Sequence, residues 1–153
     1  MTEEIAYFAA GCFWGVEAAY YDISGVVETE VGYMGGNVEN PTYKQVCTGI
    51  TNHAETVRLT FNPSIISYSK LLDIFWNIHD PTTKDRQGPD IGSQYRSLIF
   101  YTSQQQRDAA KKSMIERQNI IQSTIVTEIL PAGIFYRAEG YHQKHNIHCR
   151  RGP

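Results

Sequence analysis

The chain has 153 residues, the length of one ordinary domain, and 41% of them are hydrophobic, which excludes a disordered chain. The formal net charge of −2 gives no overall attraction to nucleic acid or to anionic membranes. No apolar run is long enough to cross a bilayer, and the acidic start Met1–Glu4 lacks the pattern of a signal peptide. We therefore expect a cytoplasmic domain over residues 1–153 that binds neither nucleic acid nor membranes.

The first part of the chain predicts strands separated by one helix. An apolar run ends at Ala10 and predicts a strand over 7–10, and a helix-compatible segment follows over 16–21. Alternation of apolar and polar residues predicts strands over 27–33 and 55–61. The apolar residues that share one face of the last strand are Val57, Leu59 and Phe61.

The second part of the chain adds two longer helices. Apolar residues at helical spacing predict a helix over 69–78 that ends before Pro81. The polar segment up to residue 93 predicts a long loop of the kind that carries function. The elements predicted after it are a strand over 95–101, a helix over 103–122, a strand over 125–130 and a tail without clear period from Pro131. Such a mixture favours an α+β domain with helices on one face of a mostly antiparallel sheet.

A cysteine stands at the first predicted strand-to-helix turn, in Gly11–Gly15. The partial positive charge of a helix N-terminus stabilises a thiolate, so the position predicts a lowered pKa for Cys12. The alternative is a buried, inert cysteine beside a core tryptophan. Spacing alone leaves both interpretations open.

The other candidate residues are weaker when each is taken alone. Glu55 at a strand start is either a solvated carboxylate or, in an apolar pocket with Trp14, an acid that holds its proton at neutral pH. Tyr43 in a loop and Tyr95 beside a strand are more often packing residues. Asp90 in the polar loop is most simply a turn residue.

The remaining cysteines do not suggest a disulfide scaffold, because three in the whole chain are too few. Cys47 is predicted to be a buried small hydrophobe. Cys149 has basic neighbours near the C-terminus, which suits a mobile second thiol in a redox cycle. A plain surface cysteine and a zinc site with His142, His145 and His148 are the alternatives.

Taken in order, these motifs resemble the A-type peptide methionine sulfoxide reductases over nearly the whole chain. The matching segments are Gly11–Gly15, Val31–Tyr33, Asn40–Tyr43, Val46–Gly49, His53–Glu55, Trp76, His79–Thr82, Gln87–Ser97, Ala138–Glu139 and Tyr141–Gln143. The resemblance implies a two-layer α+β sandwich with a ferredoxin-like core and an extended C-terminal coil over 131–153. It also implies that the S epimer of methionine sulfoxide, free or in proteins, is reduced to methionine.

The resemblance also implies a role for each candidate residue. Cys12 corresponds to the nucleophile that becomes a sulfenic acid, and Glu55 to the acid that protonates the sulfoxide oxygen. Tyr43 and Tyr95 correspond to the hydroxyls that hold this oxygen. The residues that correspond to substrate contacts are Phe13 and Trp14 for the methyl group and Asp90 near the substrate backbone.

The final steps of the implied cycle use a second thiol. Cys149 is the best candidate to attack the sulfenic acid, thioredoxin then reduces the disulfide, and a monomer needs no metal or organic cofactor. The chain departs from the family pattern at Asn52, where glycine is usual, and in its short basic tail. Cys47 or an external thiol therefore stays open as an alternative.

A different class of enzyme is also compatible with the residues. A cysteine hydrolase would use Cys12 with His53 or His142 as its base. Hydrolysis requires no reductant, whereas sulfoxide reduction stops without one.

Overall fold

In the computed structural model, residues 3–147 are described, and Cys149 and His148 lie outside this range. The helices within it are α1 (Phe13–Tyr21), α2 (Tyr43–Cys47), α3 (Tyr68–Asn77) and α4 (Gln104–Gln118). The strands are β1 (Glu4–Ala10), β2 (Val26–Met34), β3 (Ala54–Phe61), β4 (Arg86–Gln87), β5 (Asp90–Ile91), β6 (Ser97–Tyr101), β7 (Glu128–Pro131) and β8 (Tyr136–Arg137).

Six of these strands form one sheet in the order β7-β6-β1-β3-β2-β8, and β4 and β5 form a separate hairpin. The central strand β1 pairs antiparallel with β3 and β6, β2 pairs antiparallel with β3 and β8, and β6 pairs parallel with β7. The segment β1-α1-β2-β3-α3-β6 is the β-α-β-β-α-β unit of ferredoxin-like folds. The predicted mostly antiparallel α+β architecture is confirmed.

Alternation along the strands divides the buried residues between the two faces of the sheet. The larger cluster packs Phe8, Val57 and Leu59 against α1 and α3, and all three side chains are fully buried. A smaller cluster on the opposite face is partly covered by Phe135. The main apolar layer therefore lies between the sheet and the helices, as the strand pattern predicted.

Polar side chains at the chain's turns explain where the observed helices differ from the predicted ones. Tyr43, predicted in a loop, lies in the first turn of α2, because Thr42 and Gln45 form a reciprocal capping box. Helix α4 ends at Gln118, not at residue 122, and this glutamine bonds to the backbone of Ser123 and Ile125. These bonds hold a loop where helix and strand were expected, and β7 begins only at residue 128.

The segment after β7 returns to the sheet edge near α1. It adds the short strand β8 to β2 and then forms a 3-10 turn over Gly140–His142. Among the described residues, no helix combines the length and apolar character that a membrane span requires.

Candidate active site

Cys12 lies between the end of β1 and the first residue of α1, as predicted. The preceding Gly11 has φ +102°, in the left-handed region that favours glycine. A Cβ atom there would lie 2.8 Å from Cγ of Gln87, so the β4–β5 hairpin packs directly against this turn. The amide of Gln87 is itself fixed by the backbone N–H and carbonyl of Asp80.

The predicted lowering of the Cys12 pKa is wrong for the resting site. Burial and the negative charge of Glu55 raise the pKa of Cys12 to about 11. The backbone N–H groups of Trp14 and Gly15 act in the predicted direction, but their effect is smaller. Without substrate, the sulfur is therefore a neutral thiol at pH 7.

Glu55 is buried next to this turn, with 1% of its surface exposed. Its Oε1 accepts a 3.1 Å hydrogen bond from the backbone N–H of Phe13, and its Oε2 has no hydrogen-bond partner within residues 3–147. Burial raises the pKa of Glu55 to about 8, and the charge of Asp90 acts in the same direction, against the Phe13 bond. The carboxyl group thus holds its proton at pH 7 with one oxygen unpaired.

Two phenol hydroxyls share the electrostatic surroundings of Glu55. Burial raises the pKa of Tyr95 to about 12, with further contributions from the charges of Glu55, Cys47, Asp90 and Cys12. Burial and a hydrogen bond to Cys47 raise the pKa of Tyr43 well above its ordinary value. Both hydroxyls therefore remain protonated donors. Tyr95 lies in a 3-10 turn over Ser93–Tyr95, not in the strand predicted from residue 95.

Aromatic rings surround the turn. Phe13 is buried, and its ring centre lies 5.7 Å from that of Tyr33 and 6.5 Å from that of Tyr43. The half-buried Trp14 donates from Nε1 to Nδ1 of His142 over 2.9 Å and stacks on His145 at 3.8 Å. Burial lowers the pKa of His142, so its ring is the neutral acceptor that this bond requires.

Glu139 is a further carboxylate at the site, and the sequence did not indicate its role. Glu139 accepts a 2.8 Å bond from the Tyr33 hydroxyl and a 2.9 Å bond from the Tyr43 backbone N–H. Burial alone would raise the pKa of Glu139, but these bonds outweigh it and the net shift is downward. Its membership of the Ala138–Glu139 motif was the available signal, but the partners lie about a hundred residues away in sequence.

His53 holds the loop that leads into Glu55. Its Nδ1 accepts from the backbone N–H of Gly36 over 3.0 Å, and its Nε2 contacts the carbonyl oxygen of Val38 at 2.7 Å. Both ring nitrogens of His53 are occupied, so His53 has no nitrogen to act as the base of a cysteine hydrolase, whereas Nε2 of His142 has no hydrogen-bond partner among residues 3–147. Asn52 has φ +59°, a conformation that glycine adopts without strain and asparagine tolerates.

Cys47 is exposed, so the prediction of a buried hydrophobe is wrong. The short helix α2 directs Val46 into the core, and the adjacent Cys47 consequently points outward. Within residues 3–147, no three or more histidine, cysteine or acidic side chains are grouped so that they could hold a metal ion. His148 and Cys149, from the alternative zinc interpretation, lie outside that range.

These residues provide a thiol, a protonated carboxylic acid and two hydroxyl donors beside an aromatic wall. The acid and the hydroxyls can bind and protonate an oxygen atom, and the wall suits a small polarisable group such as an S-methyl. Asp90 lies on the hairpin that packs against the cysteine turn, and its charge acts on Cys12 and Glu55.

Comparisons with known proteins agree with this chemistry. A family model described as peptide methionine sulfoxide reductase matches residues 4–151. The peptide methionine sulfoxide reductase MsrA of Methanothermobacter thermautotrophicus is 60% identical over 144 residues, which cover 93% of this chain and 85% of that protein.

Solved structures share the fold of this chain. Reduced Mxr1 from Saccharomyces cerevisiae superposes with a TM-score of 0.92 at 37% identity, covering 99% of this chain and 88% of that one. Mxr1 in complex with Trx2 gives a TM-score of 0.67 at 28% identity, covering 94% and 84%.

Proposed function

This chain belongs to the peptide methionine sulfoxide reductase family, and from that premise we propose that it reduces methionine-S-sulfoxide, free and in proteins, to methionine. The observation that carries the proposal is the buried, protonated Glu55 beside the Cys12 turn, whose Oε2 has no hydrogen-bond partner in the described part of the chain. A buried polar atom without a hydrogen-bond partner lowers the stability of the folded protein, so its presence in a native fold indicates a functional role. A sulfoxide oxygen accepts hydrogen bonds and must be protonated before it can leave sulfur.

The first step transfers the sulfoxide oxygen to the enzyme. Glu55 gives its proton to the oxygen, and Tyr43 and Tyr95 donate hydrogen bonds to it. The Cys12 sulfur attacks the sulfoxide sulfur, and the thiol proton replaces the proton that Glu55 has given. The S–S bond formed by this attack breaks as the protonated oxygen passes from the substrate sulfur to the Cys12 sulfur. The substrate sulfur thereby gains two electrons and leaves as methionine, and Cys12 loses two electrons and becomes a sulfenic acid.

The second step regenerates the thiol. The sulfenic acid condenses with a second cysteine thiol, which forms a disulfide and releases the oxygen as water. A dithiol then reduces this disulfide by exchange and is itself oxidised. The net reaction converts one sulfoxide and one dithiol into one methionine, one disulfide and one water.

We propose Cys149 as the second cysteine. His145 stacks directly on Trp14, two residues from Cys12, and Ile147 is buried. Cys149 follows His145 by four positions, so covalent geometry alone keeps its Cα within about 14 Å of that of His145. The segment directly before Cys149 therefore lies beside the Cys12 turn, which supports this choice. Cys47, which bonds to Tyr43, is the alternative.

Thioredoxin is the dithiol that we propose. The similarity to Mxr1 bound to Trx2 supports this choice. A thiol cycle needs a reducing compartment, so we also propose a cytoplasmic enzyme for the repair of oxidised proteins. Apart from the thioredoxin dithiol, one chain carries the nucleophile, the acid, the hydroxyl donors and the proposed second cysteine, which suits a monomer with a single catalytic domain over residues 1–153 and no bound cofactor.

Turnover of the cysteine variants tests this function. We expect Cys12→Ser to lose methionine production from methionine-S-sulfoxide with dithiothreitol as reductant. Cys47→Ser is the matched control and should retain production. Methionine formation by Cys12→Ser, or turnover by the native chain that continues without any reductant, would overturn the proposal.

Mass mapping after one turnover without reductant tests the second cysteine. The expected product is a Cys12–Cys149 disulfide. A free Cys149 in that sample rejects it as the resolving thiol, and a Cys12–Cys47 disulfide would identify the alternative.

A further inference from the structure

The C-terminal segment is tied to the rest of the chain by a buried carboxylate. Glu17 on α1 is fully buried, and its Oε1 accepts a 2.6 Å bond from the backbone N–H of Lys144. Its Oε2 accepts a 2.6 Å bond from the hydroxyl of Thr29 on β2. Both oxygens are thus occupied, and one side chain joins α1, β2 and the tail.

Gln143 fastens the same segment to the edge of the sheet. Its Oε1 accepts from the Val31 backbone N–H over 2.9 Å, and its Nε2 donates to the Val31 carbonyl over 2.8 Å. A third bond, of 3.0 Å, joins Nε2 to the carbonyl of Ala138. We refer to Glu17, Thr29, Gln143 and Lys144 together as the tail latch.

The residues on either side of the latch hold the indole of Trp14. His142 accepts the Trp14 Nε1–H bond, and His145 stacks on the ring with an interplanar angle of 11°. Trp14 and Glu17 are three residues apart on α1, so they lie on neighbouring positions of one helix face. The C-terminal segment is therefore joined to α1 at two places, through Glu17 and through Trp14.

We propose that the tail latch positions Trp14 and thereby sets how strictly the site distinguishes a methyl sulfoxide from a larger alkyl sulfoxide. The inference rests on the proposed function, in which Trp14 forms part of the methyl pocket. The latch residues do not touch the substrate and act only through His142 and His145. Without the latch bonds, His142 and His145 no longer hold the Trp14 indole in place. The indole can then move, and the pocket accepts a substrate with one additional methylene group.

The substrates that test the proposal differ by one methylene. They are N-acetyl-methionine-S-sulfoxide and its S-ethyl homologue, with dithiothreitol as the reductant so that thioredoxin is not involved. A rigid apolar pocket separates such a pair by about 10 to 200-fold in kcat/KM. We expect Glu17→Leu and Gln143→Leu each to reduce this ratio at least several-fold, and the double variant to add little, because both changes release one segment.

Conservative variants separate positioning from a general loss of structure. Glu17→Gln can accept from Lys144 N–H and donate to the Thr29 hydroxyl oxygen, so it should restore the native ratio. Glu28→Gln alters the exposed ion pair with Lys144 and should leave the ratio unchanged. Thr29→Val removes a single latch bond, and it reports on the latch if the leucine variants do not fold.

Failure of the proposed function and failure of the latch proposal give different results in these assays. A native enzyme that reduces neither sulfoxide refutes the proposed function itself. A native enzyme that prefers the methyl sulfoxide, with the same preference in every folded latch variant, overturns the latch proposal alone. A reduced ratio in Glu28→Gln as large as that in Thr29→Val would also overturn it.

Discussion

Replacing Glu55 by glutamine should make the protein more stable and the enzyme much slower. The carboxyl group is 1% exposed, and its pKa rises from 4.5 to about 8 on folding. Ionising it therefore opposes the folded state. Glutamine keeps the size of the side chain and an oxygen that can accept the Phe13 N–H bond, but it never carries a charge.

The size of the stability effect follows from the two pKa values. A folded-state pKa above the unfolded one means that the native carboxyl contributes most favourably below pH 4.5 and loses this contribution as the pH rises through 8. At about 1.4 kcal/mol for each tenfold change in proton affinity, the complete loss is roughly 4 to 5 kcal/mol. The advantage of Glu55→Gln over the native chain should thus grow by roughly 4 kcal/mol between pH 5 and pH 9.

Urea unfolding of both proteins at pH 5, 7 and 9 measures this difference, because other titrating groups cancel in the comparison. Activity should change in the opposite direction, with kcat/KM about 10²- to 10⁴-fold lower, since the proton donor is lost. A stability difference that stays constant with pH would refute the argument that burial keeps Glu55 protonated. Native-like activity in Glu55→Gln would refute its role as the acid.

Three further outcomes follow from the site. The kcat/KM of the native enzyme should fall about tenfold from pH 7 to pH 9 as Glu55, with its pKa of about 8, loses its proton. A kcat/KM that rises over this interval would contradict a reactive form in which Glu55 is protonated and Cys12 is a thiol. Tyr43→Phe and Tyr95→Phe should each lower kcat/KM about 10- to 100-fold at unchanged stability, through a lost bond to the oxygen; steady-state kinetics and thermal unfolding check both. Gly36→Ala should cost about 2 kcal/mol in urea unfolding, because its Cβ would overlap the carbonyl oxygen of Thr51 and the His53 ring; an unchanged midpoint would contradict this packing argument.

The sequence was sufficient where the determining interactions are local. The strand that ends before Cys12 and the shared face of Val57, Leu59 and Phe61 follow from turn glycines and from alternation over a few residues. The capping serine of α4 was visible for the same reason. Such features depend on neighbours in the chain, and the structure retains them.

The sequence failed where distant segments meet. The helix N-terminus predicted a lower pKa for Cys12, but burial and the charge of Glu55, 43 positions away, reverse the sign. The contacts of Trp14 with His142 and of Tyr43 with Glu139 join residues separated by 128 and 96 positions. No periodicity records such pairs, so the roles of Glu139 and of the tail latch emerged only from the fold.

The oxidation of Cys12 by the sulfoxide is tested most directly in a chain in which Cys12 is the only cysteine, the double variant Cys47→Ser, Cys149→Ser. One incubation with methionine-S-sulfoxide and no reductant is followed by mass analysis of the peptide that contains Cys12, in the presence of a sulfenic-acid trap. We expect one methionine per enzyme molecule and a trapped sulfenic acid at Cys12. Methionine formed without any change at Cys12, or no methionine at all, would contradict this expectation.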